Sequence, residues 1–165
     1  MVSTTATEVR AVLSAVTDPE IPVITIEDLG ILRDVQVDGS HVTVTITPTY
    51  SGCPAMEEIR TDITAALHAR GLTDVEVRTI LSPAWTTEWM SQRGREALQA
   101  YGIAPPTVRA SVPVLLQLGR RPSVLACPRC GSQDTEEISR FASTSCKSLW
   151  RCRSCREPFD HFKDH

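Results

Sequence analysis

Two CxxC pairs, Cys127-Pro128-Arg129-Cys130 and Cys152-Arg153-Ser154-Cys155, constrain this chain more than any other feature of it. Each pair folds a tight knuckle that turns two sulfurs toward one point, and the 21 residues between the pairs fit a small hairpin ribbon. Gly131 suits the sharp turn after the second sulfur. Four thiolates in a tetrahedron suit Zn²⁺ and leave no coordination position open for catalysis. About forty residues cannot build a sufficient core alone, so metal binding supplies folding energy here. Phe141, Trp150, Phe159 and Phe162 are expected to pack around the metal. A structural zinc is the leading reading; an iron–sulfur or redox-active site is the alternative. Cys146, His161 and His165 are surplus to four ligands. Cys146 either assists them or is a packed or exposed bystander.

With 41% hydrophobic and 22% charged residues the chain has an ordinary globular composition. It contains no apolar run long enough to cross a membrane. The start, MVSTTATEVR, lacks the charged and apolar regions of a secretion signal, so a cytoplasmic location is expected. In that setting six cysteines favour metal over disulfides. The net charge is −3, yet residues 120–165 carry nine Lys/Arg against six Asp/Glu. This mild basicity falls far short of a nucleic-acid-binding patch.

A second organised stretch is Thr43–Met56, TVTITPTYSGCPAM. Val42, Val44 and Ile46 alternate with Thr43, Thr45 and Thr47 as in a strand. A polar turn follows and delivers Cys53 and Pro54 to a helix start, Pro54 being tolerated at a first helical position. Unpaired N–H groups and the helix dipole at that end favour a thiolate, so a lowered pKa is expected for Cys53. Its thiol is a soft-metal ligand, a nucleophile or a buried small hydrophobe.

Upstream, Thr5-x-x-Glu8 is a capping box that opens a helix to about Val16. Thr17-Asp18-Pro19-Glu20 stops it. Gly30 is expected in a backbone conformation that a side chain would resist. Strands over 31–37 and 42–47 turn at Asp38-Gly39-Ser40. The helix after Cys53 repeats Met56, Ile59, Ile63 and Leu67 and stops at Gly71. Residues 75–79 form a third strand, and a helix capped by Thr86 or Thr87 runs to about Tyr101. The order helix, strand, strand, helix, strand, helix predicts an α+β domain with a three-stranded sheet. The expected division is an α+β domain over 1–106, a connector over 107–123 and a four-cysteine ribbon over 124–165. Val112–Leu118 is apolar enough for an added strand.

Asp18, Glu20, Glu27 and Asp28 flank irregular segments, where carboxylates either help to bind a metal or cap helices and shape turns. Thr47, Thr49 and Ser51 either hydrogen-bond around the Cys53 sulfur or satisfy their own loop. Trp85 and Trp89 read as core or interface. No phosphate loop, zinc-protease helix or nucleophilic elbow is present, and neither His41 nor His68 has an evident acid–base partner in sequence.

Asp18-Pro19-Glu20-Ile21-Pro22, Glu27–Ile31, Thr47–Pro54 and Pro83-Ala84-Trp85-Thr86 resemble the iron–sulfur assembly-factor domain shared by SufT-like proteins. Combined with Gly102–Pro106 and the terminal CPRCGS…STSCKSLWRCRSCREPFDHFK, the chain resembles the PaaD family, counted among the components of the phenylacetyl-CoA epoxidase system. The resemblance implies a role in maturing iron or iron–sulfur proteins, with Cys53 as the functional thiol; Asp18, Glu20, Thr47 and Ser51 are the residues expected to support it. It implies a transient iron or iron–sulfur cargo beside the structural zinc of Cys127, Cys130, Cys152 and Cys155. The oxygenase and reductase subunits of an NADPH- and O₂-dependent epoxidase are the implied clients. The chain itself lacks Glu-x-x-His pairs for a di-iron site and any dinucleotide fingerprint, so it is expected to be an accessory protein without catalysis of its own. A stable structural subunit of the epoxidase and a nucleic-acid-binding ribbon are the competing functions. A homodimer is compatible with the sequence. Where another cysteine is expected near the terminus, the chain reads Phe162-Lys163-Asp164-His165.

Overall fold

The computed structural model describes residues 4–107 and 125–164. These form two compact units that part between Ala97 and Leu98. The division falls earlier in the chain than the Pro105-Pro106 break that the sequence marks.

In the first unit the capping box forms: Thr5 Oγ1 accepts from the Glu8 N–H, and Glu8 reaches back to the Thr5 N–H at 2.8 Å. It opens α1 (Ala6–Leu13), which ends before the expected Val16. Beyond Leu13 the chain loosens into single turns, and the Asp18 N–H bonds to the Ile24 carbonyl instead of continuing the helix. Strands β1 (Leu32–Asp38) and β2 (His41–Ile46) form the expected antiparallel hairpin. Helix α2 (Ala55–His68) then crosses over, and β3 (Asp74–Thr79) returns parallel to β2, giving the order β1-β2-β3. A parallel neighbour needs such a crossover, which is why α2 covers the sheet.

Val42, Val44 and Ile46 from β2 are fully buried, as are Ile59, Ile63 and Leu67 from α2 and Val9 and Leu13 from α1. Burial of one such side chain stabilises by about 1.5–3 kcal/mol, so the strand–loop–helix around Cys53 is anchored at both ends in the buried core. Thr43, on the other face of β2, and Thr47, just past its end, are also covered.

The loop before β1 is packed rather than loose: Ile21, Ile24, Ile26 and Leu29 are buried. Gly30 has φ +79, and a Cβ on it would stand 2.7 Å from both the Cβ and carbonyl oxygen of Trp89. The position therefore requires glycine on two counts. Asp28 is the knot of this region. Its carboxylate accepts from Thr25 Oγ1 at 2.9 Å, Ser91 Oγ at 2.6 Å and Arg93 Nε at 2.9 Å. Burial pushes the Asp28 carboxyl up, but the hydrogen bonds from Arg93, Ser91 and Thr25 outweigh it and hold the group below its ordinary range. Glu27 pairs with Arg10 at 3.6 Å. Trp85 is buried and donates to the Leu29 carbonyl, while Trp89 stacks beneath the Arg33 guanidinium.

The helix expected from Thr86 or Thr87 starts later. A short 3₁₀ turn, Thr87–Trp89, comes first, and α3 covers Gln92–Tyr101. Ser91 does the capping, its hydroxyl accepting from the Gly94 N–H at 2.9 Å.

The second unit is a four-stranded sheet in the order β4-β7-β6-β5, with β4 (Ile103–Ala104), β5 (Thr135–Ser139), β6 (Lys147–Cys152) and β7 (Pro158–Phe162). The hairpin expected between the CxxC pairs is β5–β6. The added strand β4 comes from the segment just before the prolines and lies parallel to β7. Ala104, Leu125, Trp150 and Phe159 surround Cys127 and Cys152 in one buried cluster. Phe162 is buried too, but Phe141 is 65% exposed with the Lys163 ammonium 4.2 Å from its ring centroid. It lies just beyond the end of β5 and is not part of the buried cluster around Cys127 and Cys152. Val112–Leu118 and His165 lie outside the described residues.

Candidate functional site

Each unit holds one cluster of sulfur chemistry. In the second unit, Cys127 and Cys130 lie in the turn before β5, Cys152 ends β6 and Cys155 follows in the next turn. The Gly131 N–H closes the first knuckle on the Cys127 carbonyl at 2.9 Å, and the Cys155 N–H points at Cys152 Sγ at 3.4 Å. The four sulfurs all lie within 4.8 Å of one another, with Cys127–Cys155 at 3.8 Å and Cys130–Cys152 at 3.6 Å. Sulfurs about 2.3 Å from a tetrahedral zinc stand about 3.8 Å apart, so the donor set fits that ion.

Crowding shows in the protonation as well. The Cys155 N–H pulls the Cys152 thiol down to about 6. The Glu157 N–H favours a Cys155 thiolate, yet burial and the neighbouring sulfurs push that thiol up to about 12. Four thiolates share this point only with a divalent cation among them. Cys127, Cys130, Cys152 and Cys155 form a structural zinc site. Cys146 is not one of its ligands: it is buried beside Thr144 Oγ1 at 3.1 Å.

In the first unit, β2 and α2 position Cys53. Pro54 occupies the N-cap with helical dihedrals, φ −69 and ψ −24, so α2 begins one residue later than expected. Cys53 is half-buried immediately before it. Burial pushes the Cys53 thiol up. The Ala55 N–H and the Tyr50 hydroxyl hydrogen-bond to its sulfur and pull the other way, and the charges of Glu20 and Asp18 push it up again. The result is a raised pKa, which corrects the lowered value that the helix start alone predicts. The helix-end N–H is in place, but desolvation and two carboxylates outweigh it.

The fold thus brings Asp18 and Glu20, more than thirty residues upstream, into the field of Cys53. Asp18 is buried, and its Oδ1 accepts from the Glu20 and Ile21 N–H groups at 2.8 and 2.9 Å, which fixes the turn that carries both acids. Thr47 is placed otherwise. Its hydroxyl donates to the Ile80 carbonyl at 2.8 Å, so it ties β2 to the chain leaving β3 and does not serve the sulfur. Ser51 is exposed in the turn before Cys53. Tyr50 is the contact that residue pattern did not single out; a tyrosine in an otherwise small, polar turn three residues before the cysteine was its only signal.

Comparison with known proteins bears on both clusters. Residues 6–79 match the iron-sulfur cluster assembly protein family, and residues 112–163 match the PaaD zinc beta ribbon domain. An Escherichia coli K12 protein named as a 1,2-phenylacetyl-CoA epoxidase subunit is 49% identical over 94% of this chain and 91% of its own length. This chain belongs to the PaaD family. An Fe-S protein maturation auxiliary factor of Porphyromonas gingivalis is 36% identical over 53% of this chain and 85% of its own. A domain of unknown function, DUF59, from Bacillus anthracis has a crystal structure that covers 56% of this chain and 90% of its own at 32% identity and a TM-score of 0.53. The iron–sulfur assembly match of this PaaD-family chain thus falls in its α+β unit, and the zinc-ribbon match covers residues 112–163. Among the described residues no helix is long and apolar enough to cross a membrane.

Proposed function

We propose that this protein is a non-catalytic accessory factor of a phenylacetyl-CoA epoxidase system, and that it helps to load iron or an iron–sulfur cluster onto the oxygenase or reductase component. The observation that carries the reading is the setting of Cys53. The thiol is half-buried, held by Tyr50 and the start of α2, and faced by the charges of Asp18 and Glu20. The same carboxylates that disfavour a bare thiolate favour a cation, so the site disfavours free nucleophilic sulfur and favours sulfur bound to metal. The zinc site has its own four ligands, which leaves Cys53 available for cargo. Kinship with maturation factors over the α+β unit and with an epoxidase subunit over nearly the whole chain supports the same reading.

In this mechanism Cys53 loses its proton as it takes up iron. Asp18 and Glu20 supply compensating charge, and Tyr50 orients the sulfur. The ribbon stays folded around zinc and serves recognition of the client. The test is Cys53→Ser in the full chain, co-expressed with the oxygenase and reductase components. The variant is expected to fold and keep its zinc while the isolated client loses most of its iron. Client protein that carries full iron and activity would sink the proposal. Stoichiometric co-purification together with tolerance of the substitution would favour a stable structural subunit.

A further inference from the structure

Strand β4 has only two residues, and it lies parallel to β7 with Ile103 opposite Asp160 and Ala104 opposite His161. Pro105 and Pro106 follow, and neither has an N–H with which to extend the ladder. Thr107 is the next residue that does. At the same offset of 57 residues it meets Asp164, whose carboxylate accepts from the Thr107 N–H at 2.8 Å and hydroxyl at 2.6 Å. This side-chain clamp stands where the prolines interrupt backbone pairing, and it fastens the end of β4 to the end of β7.

A second donor faces the same carboxylate. His161 is 6% exposed, and its buried Nε2 has no hydrogen-bond partner among the described residues. Counting protons shows what that nitrogen offers. The Trp150 indole N–H only donates, and it donates to Ser148 Oγ at 3.0 Å. Ser148 is buried, and its own proton finds an acceptor in His161 Nδ1 at 3.3 Å. Burial holds His161 below the ordinary histidine range, against the pull of the Asp164 charge, so the ring is neutral and its proton sits on Nε2. Asp164 Oδ1 stands 4.0 Å from that nitrogen, about one ångström beyond a hydrogen bond.

Asp164 thus has two sets of donors within reach and serves one of them. Holding Thr107 leaves a buried N–H unmade, which is costly. Turning to His161 would satisfy that donor and give up the Thr107 pair, so the two costs oppose each other. Glu137, Arg140 and Lys163 line the same cleft beside Asp164. Their charges and that of Asp164 balance, and Asp164 is the one whose field reaches the ring.

We propose that Asp164 is a two-position latch for the edge strand β4. Clamped to Thr107 it holds the strand on the sheet; turned to the His161 Nε2–H it lets the end of the strand go. Ala104 belongs to the buried cluster around Cys127 and Cys152, so the latch also governs how firmly that cluster is covered. Because one carboxylate serves both contenders, weakening either strengthens the other. The inference does not depend on the role proposed for Cys53.

The test uses the zinc-loaded, ¹⁵N-labelled full chain, with zinc content and the ribbon spectrum as controls for folding. Thr107→Val removes one donor to Asp164. It is expected to raise the His161 pKa, followed by its ring nitrogens, by about one unit, a tenfold gain in proton affinity. His161→Phe removes the competitor, and hydrogen exchange of the Thr107 amide is expected to slow several-fold. A merely structural role for His161 predicts the opposite, since loss of a buried partner would loosen the strand. A His161 titration unmoved by Thr107→Val would overturn the latch, and this holds even if His161→Phe does not fold. Thr107 exchange that is unchanged or faster in folded His161→Phe would overturn it as well, showing that Asp164 serves Thr107 without competition.

Discussion

The two sulfur clusters of this protein face opposite electrostatic problems. In the ribbon, four sulfurs within 4.8 Å of one another need a cation to coexist, so the metal belongs to the fold. Around Cys53 a single sulfur is faced by two carboxylates and partly buried, so its resting state is a protonated thiol, and the function proposed above makes a metal there transient cargo. The difference lies in the number of donors and in what surrounds them. Cysteine content alone does not distinguish a four-sulfur metal site from a lone protonated thiol; the number of donors and the neighbouring charges do.

Removing zinc probes the largest difference. A chelator, or Cys152→Ala, should unfold β5–β7 at a cost on the order of 10 kcal/mol, seen as collapse of the Trp150 and Phe159 resonances. Signals from α1, α2 and β1–β3 should persist. Global unfolding would mean that the two clusters are not energetically separate.

Asp28→Ala should cost about 1–3 kcal/mol, since Ser91 and Arg93 both lose their acceptor; the denaturation midpoint reads this out. The sign of its pH dependence follows from a depressed carboxyl. The stabilisation is present above the unfolded carboxylate range and is lost as acid carries the folded group through its lower pKa. The loss should be absent in Asp28→Ala. An unchanged midpoint would show that the loop carrying Asp18 and Glu20 is held by its apolar residues alone.

The smallest effect is the most specific to Cys53. Glu20→Gln removes a charge that disfavours the thiolate, so alkylation by iodoacetamide at fixed pH should speed up several-fold while iron capture weakens. For the parent chain, alkylation and iron capture should both rise with pH, because each requires loss of the thiol proton. A slower alkylation of Glu20→Gln would reverse the assigned sign.

Much of the local architecture was legible from neighbours in sequence. The capping box Thr5/Glu8, the Asp38-Gly39-Ser40 hairpin and the repeat Ile59, Ile63, Leu67 encode structure over a few residues, and each formed where it was expected. Legibility failed where a distant group competed. Ser91 displaced Thr86 and Thr87 as the helix cap while also serving Asp28. Thr47 spent its hydroxyl on Ile80 rather than on the nearby sulfur. Phe141, an aromatic between the two CxxC pairs, lies exposed just after β5 rather than in the buried cluster.

By itself the sequence determined the zinc ligands, the strand–loop–helix that carries Cys53, and the α+β class. Each of these follows from spacing, periodicity or turn chemistry, which act over short stretches of chain. Only the tertiary structure decided the state of that thiol. Its pKa depends on burial and on Asp18 and Glu20, groups far away along the chain, and the Coulomb field of a carboxylate acts across space with no regard to sequence order.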